Sequence, residues 1–121
     1  MIEYELYNDE KTMHLRLIGR NNLVDFEDSM PIITKELKNG NFKNLIIEIV
    51  NLQNGFDYVD PDLAFYSINE MKRWIAKVAL VCNGEIPSEV DALMELFRNY
   101  QVPVESFANM SDARGWLRKV K

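Results

Sequence analysis

A chain of 121 residues with 47% hydrophobic content carries enough apolar side chain for a packed core without disulfides or a structural metal. Its formal charge of −5 argues against nucleic acid as a partner, because that affinity depends on neutralising phosphates, although Arg114, Arg118, Lys119 and Lys121, for example, gather positive charge locally. The single cysteine, Cys82, cannot form an intrachain disulfide, no apolar run nears the roughly 18 residues that span a bilayer, and the N-terminal Met-Ile-Glu-Tyr-Glu is unlike a signal peptide. A cytoplasmic protein with no integral membrane segment is the expectation.

Taken in chain order, Ile2, Tyr4 and Leu6 alternate with Glu3 and Glu5, and Met13, Leu15 and Leu17 alternate with His14 and Arg16. Asn8-Asp-Glu-Lys11 between them is a turn, so the pattern predicts a hairpin with one wet face, and His14 is expected on that face. Phe26, Met30, Ile33 and Leu37 fall at helical spacing, which predicts a first helix from about Leu23 to Lys38, stopped by a left-handed Asn39-Gly40. Pro31 is expected to kink that helix or split off its first turn.

Leu45-Ile-Ile-Glu-Ile-Val50 is a near-continuous β-branched run, the pattern of a strand covered on both faces. Glu48 is its odd member, to be paired with Arg16 or placed at a solvated edge. Asp60-Pro61-Asp62 reads as the start of a second helix reaching about Arg73, with Asp60 as N-cap and Asp62 favoured by the helix dipole. Its inward stripe is Ala64, Phe65, Ile68, Met71 and Ile75.

Lys77 to Cys82 is apolar at nearly every position and predicts an interior strand. Val90, Leu93, Met94 and Phe97 sit at i, i+3, i+4 and i+7, marking a third helix opened by Pro87-Ser88. Val102 to Phe107 is a short strand that Pro103 confines to an edge, since proline donates nothing to a ladder. Ser111 is expected to cap a last helix with Ala113, Trp116, Leu117 and Val120 inward. No repeat, linker or low-complexity segment interrupts this order, so residues 1–121 are expected to form a single domain.

The predicted fold class is α/β, ordered β-β-α-β-α-β-α-β-α, a mixed and mostly parallel five-stranded sheet with four helices and right-handed crossovers. Four segments carry a family resemblance: Leu17-Ile18-Gly19, Leu45 to Val50 before a Gly-aromatic loop at Gly55-Phe56, Ile75-Ala-Lys-Val-Ala-Leu-Val81, and Asp112-Ala-Arg-Gly-Trp-Leu117. With this element order they resemble the STAS domain of anti-sigma factor antagonists and sulphate-transporter tails, and more narrowly its SpoIIAA-like branch of small bacterial proteins. That resemblance spans essentially the whole chain and implies a regulatory, non-enzymatic protein-interaction module.

It also implies where a switch would sit. In phosphorylated STAS antagonists a partner kinase modifies a Ser or Thr at the start of the helix after the third strand, adding roughly −2 charge to a binding surface. Here the stretch from Asn51 to Asp62 holds no Ser or Thr, and Ser67 lies about two turns into the expected helix. No phosphorylation site is therefore carried over. Asp60 and Asp62 already place negative charge there.

Other chemistry is not supported by the residues. His14 is the only histidine, transition-metal ligands are lacking, and Asp57, Asp60 and Asp62 do not follow the Ca²⁺-loop spacing. Nucleotide-binding glycine motifs are absent, so neither a cofactor nor a metal is expected. The candidate surface is Phe56, Asp57, Tyr58, Asp60, Asp62, Phe65 and Tyr66, an aromatic and acidic set suited to docking a protein partner or a second copy as a homodimer. The alternative is a small apolar ligand or lipid: the SpoIIAA-like branch is similar in topology to the CRAL-TRIO lipid-transfer fold, and Phe56, Tyr58, Phe65, Tyr66 and Trp74 would line such a groove.

Overall fold

The two alternating runs at the start of the chain become strands β1 (Ile2–Tyr7) and β2 (Thr12–Ile18), paired antiparallel with Glu3 opposite Arg16 and Glu5 opposite His14. The turn between them is a short 3₁₀ segment, Asn8–Glu10, closed by Lys11 in the left-handed region at φ 54°. That conformation aims the Lys11 carbonyl at two donors, the backbone N–H groups of Lys43 and Asn44, which seats the next strand. The computed structural model describes residues 2–18, 23–40, 42–50, 69, 72–82 and 88–118.

Helix α1 (Leu23–Gly40) follows, then β3 (Asn44–Val50), β4 (Lys77–Cys82), helix α2 (Ser88–Asn99), β5 (Val104–Phe107) and helix α3 (Met110–Arg118). The strands lie in the order β1-β2-β3-β4-β5 in one sheet, parallel from β2 to β5. The predicted second helix falls almost wholly outside the described residues. Within it Asn69 is helical, and Lys72 to Trp74 form a turn leading into β4.

Period-two alternation sorts the strand residues onto two faces. On the first face Met13, Leu15, Leu45, Ile47, Val78, Leu80 and Val104 are buried beneath Ile33 and Leu37 of α1 and Met94 and Phe97 of α2. Phe97 and Phe42, each 1% exposed, are the largest side chains closed off there. On the second face Ile46, Ala79 and Val81 are covered by Ala113 and Leu117 of α3, with Phe107, Met110 and Trp116 at its margin.

Several expectations change in detail. Helix α1 runs unbroken through Pro31, whose ring is exposed. Gly40 is its last helical residue, not a left-handed stop; its role is space, since a Cβ there would lie 2.1 Å from the Phe42 ring. The left-handed stop falls one helix later, at Gln101 with φ 64° after α2. There the Val102 N–H donates to the Phe97 carbonyl and the Gln101 N–H to that of Arg98, a Schellman ending with Val102 and Phe97 both in the core.

The cap of α3 is Asn109 and not Ser111: the Asp112 N–H donates to Asn109 Oδ1 at 2.9 Å, and Asn109 Nδ2 donates back to the Asp112 carboxylate at 3.2 Å. Trp116 faces the second-face core but is only half-buried. It tilts against Phe107 with ring centroids 5.7 Å apart, and the Lys77 ammonium lies 5.2 Å from its centroid. Trp74 is half-buried and packs against the first-face core.

Candidate functional site

The residues singled out for function, Phe56, Asp57, Tyr58, Asp60, Asp62, Phe65 and Tyr66, all lie outside the described residues. What the fold provides is their point of departure. The segment leaves from Val50, the carboxyl end of an interior parallel strand, and this edge of an α/β sheet is where ligands and partners are ordinarily met. Glu48 and Arg16, opposite each other two residues before the ends of β3 and β2, lie beside that edge.

Those two belong to a polar cluster that the alternating pattern did not reveal. His14 is not on a wet surface: it is 4% exposed. Its Nε2 donates to Glu48 Oε1 at 2.8 Å, and Arg16 Nε donates to the same oxygen at 3.2 Å. Arg16 also reaches Glu3 at 3.8 Å, so the expected Arg16 to Glu48 pair is present within a larger network. Glu48, through its hydrogen bond first and its charge second, raises the pKa of the Arg16 guanidinium further above its already high value.

Burial of His14 comes from neighbours on the same face. Tyr7 stacks on it with centroids 6.2 Å apart, and the Arg114 guanidinium, sent across from α3, lies 4.7 Å above the Tyr7 ring. The Tyr7 hydroxyl donates to Glu5 at 3.0 Å; burial, and then that bond, push its pKa above the usual phenol value. The missed signal was a coincidence of register: a lone carboxylate in an apolar strand sits across from Arg16, and diagonal to His14, only once β2 and β3 pair in parallel.

The network ties β1, β2 and β3 together through Glu3, His14, Arg16 and Glu48. Among the described residues the partner of His14 is the Glu48 carboxylate, with no Ser, Thr or Cys in hydrogen-bond contact with the ring, and its Nδ1 has no hydrogen-bond partner. Burial pushes the Cys82 thiol up, away from the thiolate that nucleophilic chemistry needs. Among the described residues no three His, Cys, Asp or Glu side chains gather to hold a metal ion, and no helix is long and apolar enough to cross a membrane. At the opposite edge of the sheet a cleft of about 290 Å³ is lined by Asp9, Glu10, Thr12, Asn44, Arg114, Leu117 and Arg118, with Arg118 paired to Glu10.

No protein-family model matches the sequence, and no curated protein matches it. Solved structures do. The anti-sigma factor antagonist SpoIIAA in its unphosphorylated form superposes with a TM-score of 0.67 at 14% identity, covering 99% of this chain and 100% of that one. The Bacillus cell fate determinant SpoIIAA in its phosphorylated form gives 0.61 at 14% identity, covering 98% and 100%. The likeness is one of fold and runs nearly end to end, and on that ground the chain has the SpoIIAA-like STAS fold, an α/β architecture on a five-stranded mixed sheet.

Proposed function

We propose that this chain is a single-domain, non-enzymatic regulatory module of STAS type that docks a protein partner or a second copy in the cytoplasm. Its contact surface is the segment after β3, with Phe56 and Tyr58 as aromatic anchors, Phe65 and Tyr66 behind them, and Asp57, Asp60 and Asp62 as the charged rim. The reading is carried by the near end-to-end match to SpoIIAA, one of whose structures is described as an anti-sigma factor antagonist and another as a phosphorylated form. One feature is not carried over from the phosphorylated form: with no Ser or Thr from Asn51 to Asp62, this module is not switched by phosphorylation there.

The test is a paired measurement on wild type and a Phe56→Ser, Tyr58→Ser variant. Native mass spectrometry of protein taken from its own host reads bound partner, second copy and small molecules together. The proposal expects a protein adduct or dimer that the variant loses, with the thermal midpoint nearly unchanged. A variant destabilised by several kcal/mol would show that these rings are core, and a lipid-sized adduct would make the protein a carrier instead.

A further inference from the structure

We infer that β1 is a second docking edge, apart from the segment after β3, built to accept an extended segment in which Lys or Arg alternates with apolar residues. β1 is the outermost strand of the sheet and has β2 as its single neighbour among the described strands. An outer strand offers a row of backbone donors and acceptors, and side chains at alternate positions decide what pairs with it. On the second face those positions are Glu3 and Glu5, both exposed; on the first they are Tyr4, 40% exposed, and Leu6, half-buried.

The charges facing this edge are acidic in excess. Arg16 is the cation on the same face within reach of Glu3, but its shorter contact is to Glu48, and Glu5 is engaged by the Tyr7 hydroxyl instead. Arg114 lies over Tyr7 from the α3 side, beyond the row of Glu3 and Glu5. An added strand carrying basic side chains on this face meets Glu3 and Glu5, which share one cation, Arg16, with Glu48. Its apolar side chains meet Tyr4 and Leu6 on the other.

The same charges disfavour a second copy of β1 in its longest registers. A two-fold axis normal to the sheet keeps each residue on its own face, so antiparallel registers centred on Glu3, Tyr4 or Glu5 set Glu3 against Glu3, Glu3 against Glu5, or Glu5 against Glu5. Each places like charges directly opposite, which destabilises a ladder. The edge is thus guarded against self-association and open to the complementary pattern.

The probe is a capped Lys-Val-Lys-Val-Lys-Val peptide added to the full chain, read by backbone amide shifts and hydrogen exchange. Binding that slows exchange of β1 amides, and that weakens about tenfold or more in a Glu3→Lys, Glu5→Lys variant with unchanged melting, is the expected result. A peptide N-methylated at alternate residues and a Glu-Val peptide are expected not to bind. Equal binding of the N-methylated peptide, protection located away from β1, or no binding at all would overturn the inference, the first because it reduces the effect to attraction by an acidic protein. Glu3→Lys alone gives a second check: it sets Lys opposite Glu5 twice across the two-fold axis, so self-association is expected to rise about tenfold by sedimentation. No rise over wild type would mean that the edge is closed.

Discussion

The two faces of the sheet are built from the same strands and finished differently. The first is apolar from Leu6 on β1 to Val104 on β5 and lies under α1 and α2. The second is apolar only beneath α3, from Ile46 to Phe107, and turns polar over β1 and β2, where Glu3, Glu5, His14, Arg16 and Glu48 stand in register. On the first face stability comes from excluded water and close packing, and on the second face half of it rests on satisfying hydrogen bonds. The polar half is also where this molecule has a surface to offer.

Four substitutions would break or sharpen that contrast. The largest effect is expected on the first face: Phe97→Ala opens a cavity where no solvent reaches and costs about 3–5 kcal/mol in urea denaturation. A loss under about 1 kcal/mol would show that α2 is not the lid described here. Next, Glu48→Ala leaves the buried His14 Nε2 without its described acceptor and costs about 1–3 kcal/mol, while Glu48→Gln, which keeps an acceptor, costs less. Equal losses for the two variants would mean that charge, and not the hydrogen bond, holds the cluster.

On the apolar half of the second face Trp116→Ala removes a half-buried ring and its contact with Phe107, a loss of about 1–2 kcal/mol by area and ring pairing. A full core-sized loss there would make the second face as tightly closed as the first. The smallest change is a gain. Gln101→Gly relieves a side chain held in the left-handed region at the Schellman end of α2 and is expected to stabilise by about 0.5–1 kcal/mol, read as a rise in thermal midpoint.

Local pattern was enough where one element faced one environment. β4 is read from the apolar run Val78 to Cys82 behind Lys77, and α2 from its four-residue stripe, of which Met94 and Phe97 are seen buried. Pro103 was likewise informative, because a missing N–H has the same consequence in any fold and the residue stands just before the outer strand β5. The candidate surface from Phe56 to Tyr66 rests on the sequence and on the resemblance it carries.

His14 shows where pattern reading stops. In the sequence it alternates with apolar neighbours like any residue on a wet strand face, and a lone histidine between Met13 and Leu15 gives no hint of a partner 34 positions away. Gly40 is the same case in backbone form: next to Asn39 it reads as a left-handed stop, whereas its contact with Phe42 is what requires a glycine. By itself the sequence determined element order, the edge character of β5, the charge of β1 and the absence of Ser or Thr from Asn51 to Asp62, because these depend on residues close in the chain. Only the tertiary structure decided that β2 has no wet face beneath Tyr7, and that Glu48 binds His14 and Arg16 through one oxygen. Burial and pairing are set by which strands become neighbours, and period-two alternation, identical for an inner and an outer strand with polar residues, does not encode that choice.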